Sequence, residues 1–191
     1  MTKIYVVDNG GQWTHREWRT LKYLNIDTKI IKNTIKFSEI YNEKVDGLVL
    51  SGGSPRIGLE GSLGNCGEIL DKSEIPIIGI CAGHQFIARH YGGKVKPSKI
   101  PEFGKVELIA YKNDFILKNI NKKSIVWESH NDEVTKMPDS FINLAKSENC
   151  KIQIIKHKNK PIYGFQFHPE VEHTEFGIQF FKNFIEICES I

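Results

Sequence analysis

The sequence predicts an α/β protein: an open, mostly parallel twisted sheet flanked by helices, with an added antiparallel part in the C-terminal half. Three observations carry this. Four apolar, largely β-branched runs, each leading into a polar or glycine-containing loop, fall at Lys3–Val7, Thr28–Ile31, Val45–Leu50 and Pro76–Ile80. Helix-like segments separate them, the βαβ alternation of a doubly wound sheet. From Val106 onward, strand-like runs follow one another closely, with alternation that suggests antiparallel pairing.

In chain order, Lys3–Val7 reads as a buried strand and Asp8-Asn9-Gly10-Gly11 as a turn. Gln12 to Leu24 reads as a helix, with Trp13, Glu17 and Leu21 on one line and Asn25 able to close it. After the strand at Thr28–Ile31 come a weak helix at Phe37–Tyr41, the strand Val45–Leu50 and a loop, Ser51-Gly52-Gly53-Ser54-Pro55. That loop would lie at the C-terminal edge of the sheet, where open α/β sheets carry ligands. Leu63–Leu70 reads as a short helix, and Gln85–Tyr91 as a helix ended by Gly92-Gly93. The later strands are expected at 106–110, 124–128, 142–145, 152–155 and 162–166, with a hairpin tip at Lys156–Lys160. A final amphipathic helix from about Glu175 to Cys188 would pack through Phe176, Phe180, Phe181, Phe184, Ile185 and Ile187. There is no repeat, low-complexity segment or linker, so residues 1–191 read as a single domain.

Composition excludes several classes. Net charge is +3 with both signs interspersed, too weak and diffuse for a nucleic-acid surface. Nothing resembles a signal peptide or an apolar stretch able to span a membrane. The four cysteines, at 66, 81, 150 and 188, form neither a CxxC pair nor a dense framework, and the histidines show no metal-ligand spacing with them. No metal is expected, and the expected compartment is the reducing cytoplasm.

The chemistry centres on Gly79-Ile80-Cys81-Ala82-Gly83. A small-x-nucleophile-x-small turn between strand and helix is the nucleophile elbow of hydrolases, here with Cys for Ser. Side chains two before and two after the nucleophile would collide in so sharp a turn, which requires glycine. The elbow sets the sulfur at a helix N-terminus, among free backbone N–H groups. A structural cysteine beside a loop is the competing reading.

A catalytic thiol needs a base, and the base an orienter. His168 and Glu170 fit: residues two apart in an extended segment point to the same side, and Pro169 stiffens it. The strand before them could end beside the elbow strand. For a tetrahedral oxyanion, the N–H of Ala82 is one donor and that of Gly53 a second. An ordinary turn is the rival for Gly52-Gly53; a phosphate loop is disfavoured because no Lys-Ser/Thr follows. Trp127-Glu128-Ser129-His130-Asn131-Asp132 is a dense polar cluster after a strand, able to hold a polar substrate or to be a solvated loop.

Taken together, Gly79–Gln85 and His168-Pro169-Glu170 resemble the class I, triad-type glutamine amidotransferases. Within that family, Trp127–Val134 and Tyr163–Thr174 are similar to stretches of the amidotransferase part of GMP synthetases, and the likeness spans essentially the whole chain. The resemblance implies a flavodoxin-like fold and hydrolysis of glutamine to glutamate and ammonia. Cys81 would form a glutamyl thioester, His168 would move protons, and Glu170 would orient it. Gly53 and Ala82 would form the oxyanion hole, and Gln85, Ser129, Asn131 and Asp132 would hold glutamine. One departure is Ser54, which stands before Pro55 where the family has Pro directly after the double glycine. The chain ends at Ile191 without an ATP pyrophosphatase domain. The expectation is therefore a free-standing subunit of a two-chain enzyme, with no cofactor of its own, whose separate ATP pyrophosphatase partner carries ATP and Mg. An amidotransferase subunit of another biosynthetic synthase, or a non-catalytic binding subunit of the same fold, are the alternatives.

Overall fold

The computed structural model describes residues 1–191. One nine-stranded sheet runs through it in the order β2-β1-β3-β4-β9-β8-β7-β5-β6. The first five positions are parallel: β1 (Ile4–Asn9) lies between β2 (Ile30–Lys32) and β3 (Gly47–Gly53), and β4 (Ile77–Ile80) lies between β3 and β9 (Ile162–Phe165). From β9 the sheet continues antiparallel through β8 (Ile154–His157), β7 (Phe141–Lys146), β5 (Lys94–Ala110) and β6 (Lys123–Lys136). The predicted parallel half with an antiparallel extension is what forms.

Strand alternation sorts the apolar residues into two cores, one on each face. Ile4, Val6, Val49, Ile78 and Ile80 face α1 (Thr14–Tyr23) and α5 (Gly177–Glu189), where Phe165, Phe167 and Phe180 pack with ring centroids 5.1 Å apart. Tyr5, Val7, Leu48, Leu50 and Ile77 face α2 (Phe37–Asn42), α3 (Cys66–Lys72) and α4 (Ala82–His90). Short 3₁₀ turns at Ile57–Leu59 and Phe115–Leu117 complete the elements.

Four sequence expectations are corrected. Ser51-Gly52-Gly53 is not a loop: β3 extends through Gly53, which pairs with Asn9 of β1 and bridges to Gly10. The strand expected at 106–110 starts at Lys94, and the strand expected at 124–128 runs to Lys136. The Trp127–Asp132 cluster is therefore strand, not loop. Its alternation is real but reversed in polarity: Glu128, His130 and Asp132 are buried, whereas Asn131 is exposed. Polar side chains on a buried face defeat a reading based on hydrophobic period. β5 and β6 form one long hairpin that pairs with the rest of the sheet through Ile109 and Ala110 against β7, and its far part leans over α4. The helix expected from Gln85 begins at Ala82, directly after Cys81.

Candidate active site

Cys81 sits between β4 and α4 with φ +50° and ψ −106°, in the left-handed region that L-residues rarely adopt. Its neighbours explain how the turn is possible. A Cβ on Gly79 would stand 2.6 Å from the Gly83 carbonyl carbon and from Ile87 Cδ1, and one on Gly83 would overlap the carbonyl oxygen of Leu50 on β3. Cys81 N–H donates to the Phe165 carbonyl at 2.7 Å, pinning the turn to β9. Ala82 is the first helical residue, so its N–H has no acceptor within α4.

Pairing of β4 with β9 brings the segment after β9 beside the elbow. His168 Nδ1 and Glu170 Oε1 are 2.7 Å apart, both residues buried. With Nδ1 taken by the carboxylate, Nε2 is the nitrogen left for Cys81, and it has no other protein partner. Burial disfavours a charged imidazole, but the Glu170 carboxylate and the Cys81 sulfur outweigh it and hold His168 well above its usual range. The segment is locked in place: His168 N–H donates to the Trp127 carbonyl at 2.9 Å, and Thr174 Oγ1 donates to the His168 carbonyl at 2.7 Å. The Trp13 ring meets the imidazole edge-on at 4.4 Å. His84, nearest in sequence to the nucleophile, instead packs against Gly164 of β9, where burial lowers it to about 3 and keeps it neutral.

Two cavities meet at Cys81 and share Gly53, Ser54 and Ser129. One, of ≈ 200 Å³, is walled by Arg56, Gln85, Asn131 and Asp132. The structure thus gathers all four predicted glutamine-binding residues, but not with equal freedom. Gln85 Nε2 donates to the Asp132 carbonyl at 2.7 Å. The Asp132 carboxylate accepts from Arg56 Nε and from Gly58 N–H, each at 3.0 Å. Burial opposes its charge, yet Arg56 holds it below the usual carboxylate range. Asp132 therefore braces the wall, and Arg56 is a pocket residue the sequence reading missed. The Ser129 carbonyl lies 3.7 Å from Cys81 Sγ. The second cavity, ≈ 290 Å³, also reaches Cys81 and lies between Gly10–Thr14, Glu17, Gly52, His168 and Glu170.

Behind the first cavity is a buried polar cluster that sequence spacing did not reveal. Glu102 accepts from Ser147 Oγ at 2.7 Å and Gln153 Nε2 at 3.0 Å, and its Oε2 lies 3.1 Å from His130 Nε2; Cys150 is close by. Both Glu102 oxygens are occupied by these partners. Neighbouring Glu128, with no such bonds, is pushed up to about 8 by burial.

Residues 5–188 match the family model for glutamine amidotransferase class-I. The chain belongs to this family. A glutamine-hydrolyzing GMP synthase subunit of Thermoplasma acidophilum is 52% identical over 191 residues, covering 100% of this chain and 94% of that protein. The protein of the same name from Methanothermobacter thermautotrophicus is 45% identical over 190 residues, with both chains fully covered. A solved Thermoplasma acidophilum structure, of a chain assigned to a GMP synthase, superposes with a TM-score of 0.94 at 51% identity, over 100% of this chain and 95% of that one. A glutamine amidotransferase structure from Thermotoga maritima, TM-score 0.72 at 20% identity over 99% of this chain and 83% of that one, shares the fold. The class I amidotransferase fold predicted from the sequence motifs is thereby shown, and this is a glutamine amidotransferase.

Proposed function

We propose that the protein is the glutamine-hydrolysing subunit of a two-chain GMP synthase. It releases ammonia from L-glutamine for a separate ATP pyrophosphatase chain that converts XMP to GMP with ATP and Mg. The observation that carries the hydrolytic half is the elbow cysteine facing a buried His168–Glu170 pair. Assignment to a two-chain enzyme is supported by the relatives' name and by their near-complete mutual coverage with this chain.

In this reading glutamine lies in the cavity of Gln85, Asn131 and Arg56, its amide against Cys81. His168 Nε2 takes the thiol proton as sulfur attacks the amide carbon. The oxyanion is met by the N–H groups of Ala82 and Gly53. His168 returns the proton to the nitrogen, and the C–N bond breaks to give ammonia and a glutamyl thioester. Water then attacks the thioester carbonyl, His168 taking its proton and passing it to the departing sulfur. Glu170 holds the imidazole orientation and stabilises its charged form through both halves.

Glutamate release from glutamine tests the hydrolysis. Cys81→Ala should lose several orders of magnitude, His168→Ala nearly as much, and Glu170→Gln less. Full activity in Cys81→Ala or His168→Ala removes the reading. The two-chain assignment is tested by the same assay with and without the cognate pyrophosphatase chain, ATP and XMP. The lone chain should be slow and the assembly fast, as expected where a site is completed on docking. Equal rates would make this a constitutive glutaminase.

A further inference from the structure

The inward side of α1 carries Thr14, Glu17 and Leu21 against the sheet. An aliphatic residue would suit position 17 on packing alone, because a carboxyl taken from water without partners is costly. Glu17 is nevertheless 1% exposed, and its Oε2 has no hydrogen-bond partner. Across the second cavity Glu170 mirrors it: Oε1 serves His168, and Oε2 is likewise unpartnered. Both carboxyls line the cavity that contains Cys81 and His168. The Gly52 N–H of β3 points toward Glu17. Gly52 is also the residue against which both reacting side chains rest: a Cβ there would stand 3.4 Å from His168 Cε1 and 3.7 Å from Cys81 Cβ.

We propose that Glu17 is a positioning residue for the hydrolysis, tying the Gly52 end of β3 to α1 and setting the charge behind the His168–Glu170 pair. The inference rests on the glutaminase reading above. The groups facing Glu17 are Glu170 and His168 from the segment after β9, the Gly52 N–H from β3 and Asp8 near the end of β1. Burial, and then the charge of Glu170, raise Glu17 well above the usual carboxyl range. A neutral Glu17 faces the Gly52 N–H and leaves Glu170 as the single anion behind His168. An ionised Glu17 would add a second negative charge in the same desolvated space. That charge would hold the proton on His168, which must be unloaded to activate water. Ionisation with rising pH should therefore bend the rate downward on the alkaline side.

The test compares Glu17→Gln, which keeps an acceptor for Gly52 without an ionisable proton, with Glu17→Leu, which removes the acceptor. Glu17→Leu should lower kcat about 10–100-fold, the scale of a displaced reacting group, with KM changed by less than about 3-fold. Its thermal stability should change little, because relief of the unpartnered Oε2 offsets loss of the contact to Gly52. Glu17→Gln should recover most of the lost kcat and show no alkaline downturn. A Glu17→Leu enzyme with wild-type kcat overturns the proposal. So does a loss that tracks stability and is not rescued by Gln. Cys81 alkylation by iodoacetamide as a function of pH gives a readout independent of turnover. If the wild-type chain hydrolyses no glutamine, with or without its partner, the functional reading fails. The alkylation profile then decides for Glu17: a displaced midpoint in Glu17→Leu supports it, and superimposable profiles overturn it.

Discussion

Gly83→Ala is the substitution whose outcome the packing fixes most sharply. Within a helix, Gly→Ala ordinarily stabilises by about 1 kcal/mol, through lower backbone entropy in the unfolded chain and better helix propensity. At Gly83 the sign should reverse. The new Cβ would overlap the Leu50 carbonyl oxygen and stand 3.1 Å from the Leu50 carbonyl carbon and 3.2 Å from the Ser51 oxygen. These are backbone atoms of a buried central strand, so no rotamer change relieves the contact. Restoring ordinary van der Waals separation means moving the start of α4 from β3 by about 1 Å, which overpacking data place at about 1–3 kcal/mol. The net loss is then up to about 2 kcal/mol, or up to about 8 °C in Tm for a chain of this size. The displaced element carries Cys81 and the Ala82 N–H. A shift of about 1 Å there should cost on the order of 100-fold in kcat, well beyond the effect on stability. Gly104→Ala is the comparison: φ is +87° but nothing lies within 4 Å of the new Cβ, so it should lose stability through strain without losing rate. Urea unfolding and steady-state glutaminase on the two variants check this. A Gly83→Ala protein with wild-type stability and kcat would refute the account of the elbow.

A glutamine-analogue electrophile should label Cys81 and spare Cys66, Cys150 and Cys188. Burial pushes the thiols of those three up, Cys66 to about 12; peptide mass mapping reads the site. Arg56→Ala should raise KM for glutamine about 3–10-fold with a smaller change in kcat, because it leaves the Asp132 carboxylate short of its charged donor and loosens the pocket wall. An unchanged KM would remove Arg56 from the pocket. For Glu128, whose folded value is raised to about 8, the folded state binds the proton more tightly than the unfolded one. Its contribution is fully present below the ordinary carboxyl value and is lost as pH rises towards 8. Glu128→Gln should therefore flatten the decline in stability between pH 5 and about 8.5, gaining on the order of 1–3 kcal/mol at the upper end. Parallel unfolding curves for variant and wild type across that range would contradict this.

The elbow and the family were legible in the sequence because their constraints are local. Glycines at 79 and 83 answer a steric demand within five residues, and the two-residue spacing of His168 and Glu170 puts both side chains on one side of an extended segment. Apolar period was enough to forecast the parallel half and the aromatic face of α5. What the sequence could not supply was which distant elements meet. Only the adjacency of β4 and β9 sets His168 against Cys81. Only the lean of the β5–β6 hairpin over α4 carries Asp132 to Arg56 and Gln85. Trp127–Asp132 reads equally as a cluster that holds a polar substrate or as a solvated loop, because charge usually marks surface; His130 is buried against Glu102 of β5, and Asp132 against Arg56 and Gly58, all distant in the chain. Glu17 shows the same limit on a helix. Its 3.6-residue period says that it faces inward, but what it faces is decided by β3 and the segment after β9, long separated in the chain and joined only when the sheet closes over both cores.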